Sequence, residues 1–408
     1  MAGGTRAVDL GTVDPARTRH AGRRSAVALT DELVVAGTAD GTVRAFERPG
    51  ARERWRAGSA DDGAAVVSLE PFDGGVAVGE RGPDGGVRVH DAGTGRRRFR
   101  YATAADVGGP QRESRFFRPF VVDLAADSGR LYAAARRSER DGDERSFTSV
   151  VSAVEPDGSV AWRFRADASP TALDCRDGDL AVAYNRCPGD HDRGLVVLDA
   201  ATGTERWSWD PGGDERRVGD VSLLADGAVV ASHADYRGYA LDAGGTVRWR
   251  VDLATPRAVG DETLYAYPNH VHATGAGTVF VTGNTYPAEG RETASLHPDE
   301  HTAFGCAPDG DPVWTAPVGG FANELGTDGE RVAVPGAQHF RTRDSGVHGL
   351  ALFGTAGGPR ASRETDGIVT AVGLDARSFA AVEEPVVYHD EGTERGEYRL
   401  LLGSVPVD

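Results

Sequence analysis

The 408-residue sequence contains no lysine, so its 45 basic residues are all arginine, against 62 acidic ones and a net charge of −17. This acid excess argues against nucleic acid or an anionic membrane as the partner, because both are gripped through basic patches. The densest basic runs, Arg96-Arg97-Arg98 and Arg136-Arg137, are interleaved with Asp and Glu and read as solvated or ion-paired surface. An acidic, hydrated surface also keeps a protein soluble when salt screens its charges, which points to a salt-adapted source. Cysteine is scarce. Cys175, Cys187 and Cys306 form an odd set without a C-x-x-C pair, which excludes a disulfide framework. No run approaches the ~18 apolar residues of a membrane helix. The first ten residues show no apolar signal core and no Cys for lipid attachment, so the expectation is a soluble, cytoplasmic protein. No phosphate-binding loop, G-x-S-x-G motif or Cys/His dyad is found.

Turn residues are abundant, with 55 Gly and 21 Pro, and they punctuate a repeat. Its best copy runs from Leu195 to Trp207: a short apolar strand, the turn Thr202-Gly203, and a second strand carrying Trp207. Versions of this unit end at Trp55, Phe99, Trp162, Trp207, Trp249 and Trp314, and a seventh copy at 350–361 keeps the turn and loses the aromatic. Ahead of each lies a second strand pair joined by a short Asp/Gly turn, as in Val221-Ser-Leu-Leu-Ala-Asp-Gly-Ala-Val-Val. Four short antiparallel strands every ~42 to 65 residues is the spacing of propeller blades with insertions. A lone four-stranded meander cannot bury both faces, so the aromatics are expected to fill the space between neighbouring sheets.

The C-terminal region supplies three more strands, at Ile368, Ser378 and Glu397, and lacks a fourth. The N-terminal Arg6-Ala-Val-Asp-Leu-Gly-Thr fits the vacant place. The expected fold is all-β: one monomeric domain over residues 5–408, an eight-bladed β-propeller of four-stranded antiparallel blades closed by N- and C-terminal strands, with seven blades as the alternative.

The segment Leu198-Asp-Ala-Ala-Thr-Gly-Thr-Glu-Arg-Trp207 resembles the tryptophan-docking motif of PQQ-like propellers, the quinoprotein dehydrogenase fold and its non-catalytic relatives. The resemblance implies a propeller of the non-catalytic kind, and the acidic, lysine-free composition adds the expectation of a salt-adapted, haloarchaeal-like source. Catalytic quinoproteins use an adjacent Cys pair, a calcium site and a periplasmic address. No two Cys are adjacent here, so neither PQQ nor another cofactor is expected, and a divalent metal is left open.

In such a repeat, second-to-third loops and the crossovers between blades emerge on one face. The long segments of this chain, among them 102–119, 136–149, 185–193, 284–300 and 338–347, all belong to that set and mark it as the binding face. Histidines gather there. His270 and His272 are two apart on one strand and so share a face. Glu324 follows on the next first strand, and the three make a candidate metal set, with zinc or iron as the fitting ions. Asn269, His270, His272, Asn323, Glu324, His339, Arg118 and Tyr267 are the candidate ligand-binding residues. His297, Glu300 and His301 come from a loop of the same rim. Phe116, Phe117, Phe120, Tyr265, Tyr286, Phe340 and Tyr388 add aromatic surface of the kind interfaces use. The expected role is a non-catalytic scaffold that binds a protein or small molecule. The competing reading is a metal-dependent enzyme built on His270, His272 and Glu324.

Overall fold

The computed structural model describes residues 5–17, 22–59, 63–110, 112, 116–213, 216–290, 293–389 and 391–405. It is almost entirely β, and the fold is a β-propeller of four-stranded antiparallel blades. Two compact units are distinguished. One comprises Arg24–Ala228 with Asp242–Thr246; the other comprises Met1–Arg23, Val229–Leu241 and Val247–Asp408.

The first unit holds a sheet of strands Ala26–Leu29, Leu33–Gly37, Val43–Glu47 and Glu53–Ala57 in sequence order. Two further meanders, over 65–102 and 120–166, are joined into one sheet through the single pair Phe120↔Arg81. The opening repeat lies in the next sheet, Ser169–Arg176, Asp179–Arg186, Leu195–Asp199 and Glu205–Trp209. The strands of the 218–252 sheet are divided between the two units.

The second unit holds a sheet dominated by the long hairpin Glu262–Thr274 and Gly277–Pro287, followed by Thr302–Cys306 and Pro312–Pro317. A second sheet spans Gly326–Thr327 to Gly358–Glu364. In the last, Ile368–Leu374, Ser378–Glu384 and Arg399–Ser404 take their fourth strand from Arg6–Asp9, antiparallel with Arg6↔Leu402 and Asp9↔Arg399.

Burial follows from sheets packing on both faces. Inner strands such as Leu33–Gly37 and Gly227–Ser232 are buried throughout, whereas the outermost strand Val160–Ala166 alternates. The core lies between neighbouring sheets: Tyr132 and Val151 of one meet Leu173, Val182 and Val196 of the next. The recurrent aromatics join this packing. The Trp162 ring lies over Gly203 of the following sheet, where an added Cβ would come within 2.5 Å of the indole, and its Nε1 donates to Ala200 O at 3.1 Å. Gly203 also has φ +73°, which a side chain disfavours. The same seating joins Trp55 to Gly95, Phe99 to Gly158, Trp207 to Gly245, Trp249 to Gly310 and Trp314 to Gly358. Thus the turn glycine and the aromatic of one repeat serve two different interfaces.

Candidate functional site

Two features dominate the second unit, and both are built on the long hairpin 262–287 and its loop. The first is a tyrosine cluster. Tyr265 and Tyr286 face each other across the hairpin as register partners, with rings 6.0 Å apart. Tyr267 lies 5.4 Å from Tyr265 and 5.3 Å from Tyr286. Tyr236 packs on Tyr265 at 4.3 Å, and His233 on Tyr267 at 4.7 Å. Tyr286 is exposed, and the other three tyrosines are half-buried. Tyr236 sits at φ +65° in a turn held by Asp235, which accepts from Ser232 Oγ at 2.6 Å and from Arg237 and Tyr239. A bulky residue at positive φ is uncommon and marks a position fixed by its surroundings. Tyr236 lies in the turn between Gly227–Ser232 and Arg237–Asp242, Tyr286 stands near the end of Gly277–Pro287, and Tyr265 and Tyr267 lie in the early part of Glu262–Thr274.

The second feature is a buried donor cluster beneath the same loop. Glu300 and His301 end the connection after the hairpin, and His339 comes from the loop after strand Arg331–Gly336. Glu300 Oε1 lies 3.8 Å from His301 Nε2, 3.9 Å from His339 Nε2 and 3.7 Å from an Arg341 nitrogen. Glu300 Oε2 accepts from Thr285 Oγ1, while Oε1 is buried and receives no hydrogen bond. His301 is bracketed by Gly319 O at Nδ1 (3.2 Å) and Asn284 Oδ1 at Nε2 (3.0 Å). Burial lowers its pKa to about 3, and the nearby His339 adds to this. His339 is lowered as well, first by burial, so both imidazoles are neutral at pH 7. Burial raises the Glu300 carboxyl, against the opposing pull of Thr285 and Arg341.

His270 and His272 do share a face, as their spacing requires, but their nitrogens meet other groups. His270 Nε2 contacts Ala322 O at 3.1 Å, and His272 Nε2 contacts Thr327 Oγ1 at 3.0 Å. Glu324 Oε1 accepts from the amide of Val372 at 2.9 Å. The three are not brought together as a ligand set. Among the described residues, Glu300, His301 and His339 are the one such group with ligand atoms within 4.8 Å. Asn269 is half-buried over Gly283, and Asn323 Oδ1 is buried without a donor. Tyr267 and His339 fall in the two clusters above. Of the remaining rim residues, His297 Nε2 is spent on Thr255 O, and Phe340 stacks on Phe321. Tyr388 is buried, not exposed, with its hydroxyl 2.7 Å from His348 Nε2.

In the first unit, Arg118 donates to Gly63 O at 2.8 Å and Phe120 lies between Arg81 and Arg136. Phe116 is 67% exposed. An open groove of about 490 Å3 lies among Phe147, Arg165, Asp167, Asp190 and His191, which sequence spacing did not single out. Its Asp167 carboxylate accepts the amides of Asp190 and His191, which fix the loop. The glutamate reading of residue 324 has a counterpart here: Asp123 Oδ2 accepts from Leu173 N at 2.9 Å and Asp174 Oδ2 from Leu223 N at 2.6 Å. In each case a carboxylate on or just ahead of one sheet's first strand holds the amide of the next sheet's first strand. Glu324 is therefore a sheet-to-sheet strap.

Among the described residues no helix is long and apolar enough to cross a membrane. Residues 147–285 match the family model described as outer membrane protein assembly factor BamB. No curated protein matches the sequence. Among solved structures the chain is similar to quinohemoprotein alcohol dehydrogenase from Comamonas testosteroni, at 11% identity and TM-score 0.60, over 96% of this chain and 74% of that one. The corresponding enzyme from Pseudomonas putida HK5 gives 12% and 0.60 over 99% and 76%. The computationally designed Ika8 protein gives 15% and 0.55 over 93% and 98%. At such identities the likeness is one of fold. The Gly–aromatic seats recur along that fold, and residues 147–285 within it are similar to the PQQ-like repeats that the matching family model describes.

Proposed function

We propose that the protein is a non-catalytic β-propeller scaffold that docks a protein partner through the tyrosine cluster Tyr236, Tyr265, Tyr267 and Tyr286. The observation that carries this reading is a set of packed tyrosine rings, three on the long hairpin 262–287 and Tyr236 from a neighbouring turn, that are half-buried or exposed. Tyrosine offers large contact area with few torsions to freeze and a polar tip that tolerates water before binding. Rings locked together before the partner arrives lose little entropy on docking. The family model matched by residues 147–285 is described as an assembly factor, which supports a protein as the partner. The acidic surface supports a partner that is neither nucleic acid nor membrane.

Affinity capture from the native host in high salt tests this. The wild type is compared with Tyr265→Ala/Tyr286→Ala and with Val313→Ser, which removes an exposed apolar side chain outside the cluster. The reading expects a protein retained by wild type and Val313→Ser and lost from the tyrosine variant at unchanged melting temperature. An identical retained set in all three would overturn it.

A further inference from the structure

We propose that Glu300, His301 and His339 bind one divalent transition-metal ion of the zinc class. This rests on the buried donor cluster alone and not on the docking reading.

The donor chemistry selects the ion. Two neutral imidazoles and one carboxylate suit zinc, cobalt or nickel, whereas calcium and magnesium call for oxygen ligands. Tetrahedral bonds of roughly 2.0–2.1 Å place ligand atoms about 3.3 Å apart. The 3.8 and 3.9 Å separations from Glu300 Oε1 therefore need only a small contraction. That oxygen is buried and receives no hydrogen bond, a costly state for a carboxylate that a bound cation relieves.

The surroundings are those of a ligating histidine. Gly319 O takes the Nδ1–H of His301, which leaves the Nε2 lone pair toward Asn284 Oδ1, with Glu300 Oε1 3.8 Å from the same nitrogen. Thr285 Oγ1 donates to the second carboxylate oxygen and fixes its rotation. Asn284 Oδ1, 3.0 Å from His301 Nε2, stands near enough to be a neutral fourth donor.

Two features oppose the ion and set its affinity. His339 Nδ1 accepts from the amides of Arg341 and Thr342 at 3.4 Å each; ligation through Nε2 moves the ring proton to Nδ1 and gives up these long contacts. Arg341 is a competing cation 3.7 Å from Glu300 Oε1. Its Nε and one terminal nitrogen are held by Thr293 O and Thr285 O, so it remains beside the site when metal enters. A bound ion would tie the loop carrying Glu300–His301 to the loop carrying His339.

The test is titration of chelator-treated full-length protein with zinc chloride by calorimetry and with cobalt chloride by visible absorption. Expected are one ion per chain, tetrahedral-type cobalt bands and a raised melting temperature. Glu300→Gln and His339→Gln should weaken binding about 100-fold or more, exceeding the loss usual for an outer-shell change. Arg341→Gln should tighten it by about tenfold, a direction that a purely structural Glu300–Arg341 pair does not predict. His270→Gln/His272→Gln should bind as wild type. Circular dichroism first confirms that each variant is folded, and His339→Gln alone decides if Glu300→Gln is not. Absence of saturable zinc binding by wild type, or unchanged binding in folded His339→Gln, overturns the proposal.

Discussion

The Asp174 carboxylate accepts the amide of Leu223 at 2.6 Å, fastening the first strand of one sheet to the first strand of the next. Asp123 does the same with Leu173 one sheet earlier. Between such strands there is no backbone ladder, so a side chain satisfies an amide that burial would otherwise leave bare. Asp174→Ala should cost about 1–3 kcal/mol in urea denaturation, the penalty of an unpaired buried donor, while Asp174→Asn retains an acceptor and should cost less.

The same positions predict a pH dependence. Burial first, and then the charges of Asp123 and Asp174, push the Glu70 carboxyl up to about 8. Burial, with Asp220 and Asp123 behind it, pushes Asp174 up to about 7 against the Leu223 hydrogen bond. Both pKa values are raised above the unfolded ones, so the folded state holds more protons. The associated stability is fully present below the ordinary carboxyl range and is lost as pH rises through 7 and 8. Denaturation midpoints at constant salt should fall from pH 5.5 to pH 8.5, and Glu70→Gln should flatten that slope. At the acid end Asp91 and Asp199, each lowered to about 2 chiefly by its hydrogen bond to an arginine, work in the opposite sense.

The sheets were legible because their signals are local. An Asp/Gly turn, a short apolar strand and an aromatic at fixed distance recur within a few residues, and Gly203 and Trp207 stand where that spacing puts them. What spacing cannot convey is which distant polar group saturates a side chain. His270 and His272 share a face as expected, yet Ala322 O and Thr327 Oγ1 occupy them, and Glu324 is consumed by the amide of Val372. The donor cluster arises instead from two loops whose contact depends on sheet packing. Its only sequence signal was His297-Pro-Asp-Glu300-His301 and Gln338-His339 on one rim.

The aromatic seats can be tested one at a time. Gly203→Ala places a methyl against the Trp162 indole and a side chain at φ +73°. The expected loss is about 1–3 kcal/mol by urea denaturation, the usual cost of overpacking. Gly178 also has positive φ, but nothing lies within 4 Å of an added Cβ. Gly178→Ala therefore isolates the backbone contribution and should cost less than Gly203→Ala.

A buried ion pair gives the largest expected effect. Arg88 Nε lies 3.1 Å from Glu80 Oε1, and both side chains are 1% exposed. Arg88 also donates to Gly58 O at 2.8 Å and to Gly41 O at 2.5 Å, so one side chain satisfies groups of the preceding sheet as well. Arg88→Leu leaves the Glu80 carboxylate buried without its guanidinium partner, while Ser59 Oγ still donates to it at 2.9 Å. Breaking such a pair by removing one partner costs about 3–5 kcal/mol, since the remaining charge keeps its desolvation penalty. The double variant Arg88→Leu/Glu80→Gln removes that charge and should recover part of the loss. If denaturation instead shows the double variant to be less stable than Arg88→Leu, the uncompensated Glu80 charge is not what destabilises the single one.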